Sequence, residues 1–449
     1  MTTLVSRANE STADAVASTP RPARRPYLHH VDLIRTVTFS LVIFVHCLTQ
    51  TTDEYTSMPV NTTSLLLHFT RNTFFALTGF VLMYQNFDKP DFSALSFWQR
   101  RIKLVIYPYV IWSAIYWVVN MWLADKLTEI PTSLGNFFYQ LSWGLSGFQM
   151  YFLFVMLQVY LIFPLVVWLV RATSGHHGLL LGASLAAQFA IVSTITHWNP
   201  PASVAAHWWH NYATFVPYQF FILYGAVAAV HRKRIGEWLS GKGWWLFTAL
   251  LVTAAIAVGS YIGGVWFAGK PVHDNNSAFY PALVPFLIVA MTCLYAAALH
   301  WAENRREYTP RFARAVKYAS NRSFPVFLVH VLVLTLIMYP QRNGTSWVRD
   351  AIGQPWATLF VYVATLAGSL LLVEILRRLP GSLYLTGRPR IPLPTVRVPA
   401  AFIPAAFIPA GRRRSRAADR ADSDDAASDQ IPVTSDTNAR GRASSASRR

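Results

Sequence analysis

Long apolar runs separated by short polar joints dominate the chain, and each run is about as long as a bilayer is thick. A helix rises 1.5 Å per residue, so a hydrocarbon core takes ~20 apolar residues to cross. Ten segments meet that length: residues 31–50, 64–85, 104–123, 147–170, 178–196, 212–230, 244–267, 279–300, 318–339 and 355–378. The weakest is 178–196, rich in small residues and interrupted by Gln188. The pattern predicts an all-α, polytopic membrane bundle of about ten transmembrane helices over residues 31–379. Residues 1–30 are mostly polar, small or Pro and predict a disordered N-terminus. Residues 380–449 are Pro-rich and basic, with a doubled PAAFI at 399–408, and predict a disordered tail. Its Phe402 and Phe407 either insert at the headgroup surface or stay solvated with the rest.

Composition sharpens this picture. Hydrophobic residues make up 53% of the 449 and charged residues only 13%, against about 25% charged in soluble domains. That excludes an ordinary cytosolic enzyme, a disordered protein and a disulfide-stapled module. A net charge of +18 would suggest nucleic acid in a soluble protein, but here the cations flank the spans. With the N-terminus placed inside, 32 Lys and Arg fall on inner segments, four (Lys126, Lys270, Arg342, Arg349) on outer loops and three within spans. The positive-inside rule then puts both termini in the cytoplasm. The first thirty residues lack an apolar h-region, so the first span is expected to act as its own signal anchor. Abundant Ala and Arg point to a GC-rich bacterial source and hence to the inner (plasma) membrane. Cys47 and Cys293 stand alone in apolar runs, as free thiols.

Polar groups inside a span are costly and need a partner or a purpose. The first span carries Asp32, Arg35 and His46. Eleven residues are close to three turns, so Arg35 and His46 share one face. Asp32 and Arg35 have the spacing of an i,i+3 ion pair. The second span carries His68, Arg71 and Asn72, with Arg71 too deep to snorkel and so in need of an anion, from the protein or from a substrate. Thr78 and Gly79 beyond them permit close helix approach. Arg100, Arg101 and Lys103 precede a helix expected to break at Pro108; they read either as positive-inside anchors or as a phosphate clamp. The ninth span repeats the first, with Arg322 two turns before His330. An anion held by arginines and faced by a titratable imidazole is a group-transfer arrangement. The expectation is one solvated cavity, open to the cytosol, shared by Arg35 and His46. His207 and His210 read as part of an aromatic interface belt, and Glu374 as the partner of Arg377 or Arg378. No P-loop, GxSxG, HxxxxD, HExxH or zinc spacing is present, and no metal is predicted.

Five stretches together resemble the acyltransferase-3 family of integral membrane acyltransferases: VDLIRTVTFSLVIFVH, TRNTFFALTGFVLMYQ, FWQRRIKLVIYPYVIW, MYFLFVMLQVYLIFPLV and SFPVFLVH. Departures are Thr78 where serine is usual, Tyr151 for tryptophan, and Lys103 as the last cation where many members read RxxR. The resemblance implies ten core helices and transfer of an acyl group, often acetyl, from cytosolic acyl-CoA (acetyl-CoA) as co-substrate, with no permanently bound cofactor. Acceptors would be hydroxyls of a cell-envelope carbohydrate or glycolipid. Arg35 and His46 would be essential, with Arg100 and Arg101 in the donor-side motif. On this reading Arg100, Arg101, Lys103 and Arg322 hold the donor, and His46 is the general base or a transient acyl carrier. His330, Arg71, Asn72 and Asp32 would orient the acceptor or stabilise charge. Some members carry a secreted SGNH hydrolase-like domain that this chain does not show, so it would act alone or with a separate envelope-biosynthesis partner. The expected partners are thus the lipid bilayer, acyl-CoA and the acceptor, and no nucleic acid. Two rival readings are a transporter or flippase for an anionic lipid or sugar, and a sensory or scaffold protein acting through its basic tail.

Overall fold

The computed structural model describes residues 25–342 and 345–392. The described residues are almost wholly helical, apart from a two-stranded ribbon pairing Gln341–Arg342 with Thr345–Ser346. In chain order the helices are α1 (His29–Thr51), α2 (Met58–Leu67), α3 (Phe69–Asn86), α4 (Ala94–Arg101), α5 (Lys103–Leu123), α6 (Leu134–Trp143) and α7 (Met150–Ala172). They continue as α8 (His177–His197), α9 (Ala202–Trp208), α10 (Gln219–Val230), α11 (Arg232–Leu239), α12 (Gly243–Trp266) and α13 (Val284–His300). The last are α14 (Pro310–Met338), α15 (Trp347–Ile352), α16 (Trp356–Leu376) and α17 (Ser382–Thr386). Among the described residues nine helical stretches are long and apolar enough to cross a membrane, with α2 and α3 forming one and α4 and α5 another. The pair Ala202–Ala213 and Val216–Val230, bent by 42°, makes ten when counted as one broken crossing.

Counted so, the ten crossings return the chain to the face where α1 begins. Side chains tie that face together: Tyr84 at the end of α3 donates its hydroxyl to the Pro26 carbonyl at 2.9 Å, and Arg171 at the end of α7 donates to the carbonyls of Asn86 and Lys89. Because the Lys- and Arg-rich joints gather there, we call it the basic face. At the opposite face Gln354 donates to the Thr51 carbonyl at 2.6 Å.

Two glycines set the central helix contact. A Cβ on Gly225 of α10 would stand 1.8 Å from the Ala76 carbonyl oxygen, and one on Gly79 of α3 would stand 2.2 Å from that of Ile222. The two backbones therefore touch where no side chain intervenes, the close approach that small residues allow in membranes. This contact fixes α3, whose other side lines both cavities described below.

Pro108 does not break its helix: α5 runs through it from Lys103, and the discontinuity falls at Ile102 instead. Proline only withholds the N–H that would meet the Leu104 carbonyl, and Gly387 packs against that carbonyl. Beyond the last crossing the chain stays with the bundle. The compact unit extends to Ile391, because α17 folds back beneath the bundle. Trp112 Nε1 donates to the Leu385 carbonyl at 2.8 Å, and the Ile391 amide to the Arg377 carbonyl at 2.7 Å. The doubled PAAFI motif lies outside the described residues, as do residues 1–24.

Candidate active site

Two chambers lie in line through the bundle, separated by a wall of aromatic rings. The inner chamber, about 260 Å³, sits toward the basic face. Its charged lining is Arg35 from α1, Arg101 at the end of α4 and Arg388 just beyond α17, with Tyr160, Ser323 and Thr78 as polar neighbours. No carboxylate lines it. Burial first, then the charges of Arg35 and Arg101, hold the Arg388 guanidinium below its ordinary pKa. Three like charges around one cavity repel one another, and a polyanion entering it relieves that repulsion.

Arg35 is held from behind. Its Nη1 donates to Ser320 Oγ at 3.2 Å, and that hydroxyl donates to Asp32 Oδ1 at 2.7 Å. The Tyr27 hydroxyl donates to Asp32 Oδ2 at 2.8 Å. So Asp32 and Arg35 do not form the direct ion pair their spacing suggests. Ser320 of α14 bridges them, which orients the guanidinium without quenching it.

The outer chamber, about 200 Å³, is lined by His46, His68, Arg71, Gln149 and Tyr151, with the hydroxyl residues Thr49, Ser64 and Thr70 and several apolar side chains. His46 packs on Phe148 at 4.6 Å and lies nearly parallel to the fully buried His330 ring at 5.5 Å. His330 Nδ1 is 2.8 Å from the Phe327 carbonyl and therefore carries its proton toward it. That leaves Nε2 as a bare acceptor, buried and unpartnered. Arg71 lies over the rings of Tyr218 and Phe279, 5.1 and 4.9 Å from their centroids.

Phe74, Phe152 and Phe327 line both chambers. The Phe74 and Phe152 rings are 5.7 Å apart, and Phe152 and Phe327 5.1 Å. These three residues, from α3, α7 and α14, form a shared septum. The expectation of a single cavity is thereby corrected: Arg35 and His46 line adjacent chambers on one helix, with the septum between them.

Other expected site residues sit elsewhere. Arg100 and Lys103 are exposed and outside the inner chamber. Arg322 pairs with Glu374 and stacks on Tyr318 at 3.6 Å; Glu374 also binds Arg378 at 2.5 Å. Asn72 is buried and donates to the His68 carbonyl of its own helix at 3.3 Å. Asp32 touches neither chamber but acts on Arg35 through Ser320. The His207–His210 run is not simply interfacial, for His210 is buried and stacks on Trp143 of α6 at 4.4 Å. Arg388 went unpredicted. Its one sequence signal was a glycine-arginine pair soon after the last span, in a stretch whose proline content reads as tail.

An anion-seeking cavity on one side of a thin wall and a paired imidazole on the other define a membrane-embedded group-transfer protein. The acyltransferase-3 family model, an acyltransferase domain, matches residues 28–374. The chain belongs to that family and is a multi-pass membrane acyltransferase. Comparison with curated proteins and with solved structures gives no match.

Proposed function

We propose that the protein is an O-acyltransferase that takes an acyl group from cytosolic acyl-CoA and passes it through the septum to a hydroxyl of an envelope carbohydrate or glycolipid. The observation that carries this reading is the placement of the His46–His330 pair directly beyond a chamber lined by three arginines and no acid. CoA phosphates would meet Arg101 and Arg388, with Arg35 deeper; Arg100 and Lys103 on the nearby surface would attract the donor by charge. The pantetheine arm then points the thioester at the septum. His46 removes the acceptor's hydroxyl proton while the oxygen attacks the thioester carbon. The C–S bond breaks, the ester C–O bond forms, and the proton goes from His46 to the leaving thiolate. If His46 itself attacks, the same atoms balance through an acyl-imidazole. The buried His330 ring, stacked on His46 at 5.5 Å, would orient the His46 ring.

The experiment is mass spectrometry of envelope glycolipids from cells carrying the gene, lacking it, or carrying His46→Ala. Loss of one acyl mass in the last two, with the variant still in the membrane, supports the reading. Unchanged masses in the deletion overturn it, and a glycolipid that changes sides without changing mass would favour transport.

A further inference from the structure

Arg71 is the charged group that the transfer chemistry leaves over. Its Nε and Nη2 are shut off from solvent and have no hydrogen-bond partner. Its Nη1 reaches only the Tyr151 hydroxyl, at a long 3.4 Å. The aromatic rings of Tyr218 and Phe279 support the guanidinium's charge but accept nothing in the plane of its N–H groups. The Tyr218 hydroxyl is spent on the Tyr212 carbonyl at 2.8 Å. His68 is tied away through Asn276, which continues to Asn61. No Asp or Glu lines this chamber, and among the described residues no ion pair includes Arg71.

Burying a guanidinium with an open edge is costly unless an anion completes it. A guanidinium offers two parallel N–H donors, the geometry that fits a phosphate or a carboxylate. We infer that the outer chamber binds an anionic group of the acceptor, a phosphate or carboxylate, on Arg71, within the same cavity as His46. This rests on the acyltransferase reading given above and narrows its substrate class: the accepted hydroxyl belongs to an anionic molecule, and a neutral sugar lacks the main contact. A lipid headgroup and a soluble anion share this chemistry.

The test uses the full chain in phosphatidylcholine nanodiscs with saturating CoA, so that the inner arginines are already occupied. Inorganic phosphate, glucose 1-phosphate and glucuronate are added in one arm, and phosphatidic acid is built into the disc in the other. Glucose is the neutral control. The thermal midpoint is expected to rise by about 2 °C or more with the anions of at least one arm and not with glucose. Arg71→Gln should lose that rise while keeping its response to CoA, and Arg71→Lys should keep a weakened one. A rise only in the lipid arm assigns the anion to a headgroup, and one only in the soluble arm to a free anion. Equal rises in wild type and both variants, or no rise in either arm, overturn the proposal. Absence of the CoA response in wild type would instead sink the donor reading. The Arg71-dependent part of the anion response would still decide this site.

Discussion

The inner and outer chambers share α1, α3, α7 and α14 but differ in what they offer a substrate. The inner one collects three cations from distant parts of the chain and offers no acid. In the proposed reaction it would hold the highly charged donor. The outer one has a polar lining of imidazole, amide, phenol and hydroxyl groups, with one cation stacked on rings. In the proposed reaction a proton would change hands there. On that proposal electrostatic attraction would work where the donor arrives, and acid–base groups would stand where the bond is made. The septum would then keep bulk water from hydrolysing the thioester.

If this division is right, the largest effect should come from His46→Ala. Transfer should fall by on the order of 10³-fold, while CoA still binds, measured by isothermal calorimetry in nanodiscs. An equal loss of CoA affinity would erase the distinction between chambers. Next comes Arg388→Ala, which removes a charge-assisted contact worth about 1.5–3 kcal/mol. The KM for acyl-CoA should rise ~10- to 100-fold with little change in kcat. Truncation after residue 379 should act at least as strongly, whereas truncation after residue 392 should leave activity in place. Smaller still is Phe152→Ala, which thins the wall. Free carboxylate released per ester formed should rise a few-fold, roughly the effect of admitting water to the thioester. An unchanged ratio would mean that the rings do not insulate anything. Smallest are Arg100→Ala and Lys103→Ala, each expected to alter donor KM by about two- to three-fold, mainly at low salt.

Much of this was legible in the chain. The span count follows from apolar run length, and Arg35 and His46 announce themselves because charge within a span has to be explained. The helical repeat even places them on one face. It does not reveal the septum, because Phe74, Phe152 and Phe327 come from three other helices and each reads as ordinary core. The fate of a lone cation is equally hidden. Arg322 looks like Arg35 in sequence, but Glu374 arrives from α16 to neutralise it, while Arg35 meets Asp32 only through Ser320. Arg388 was missed because a five-residue helix among prolines and glycines gives no periodic signal, and its anchoring depends on single contacts such as Trp112 to the Leu385 carbonyl.

The arginine triad draws one member from the first crossing, one from the approach to the third and one from beyond the last. During synthesis it therefore comes into being only after every crossing has been laid down and the chain has turned back under the bundle. On the proposed function, a half-inserted polypeptide would carry the imidazole without a complete berth for the donor. Assembly of the membrane domain would then itself turn on consumption of the activated thioester.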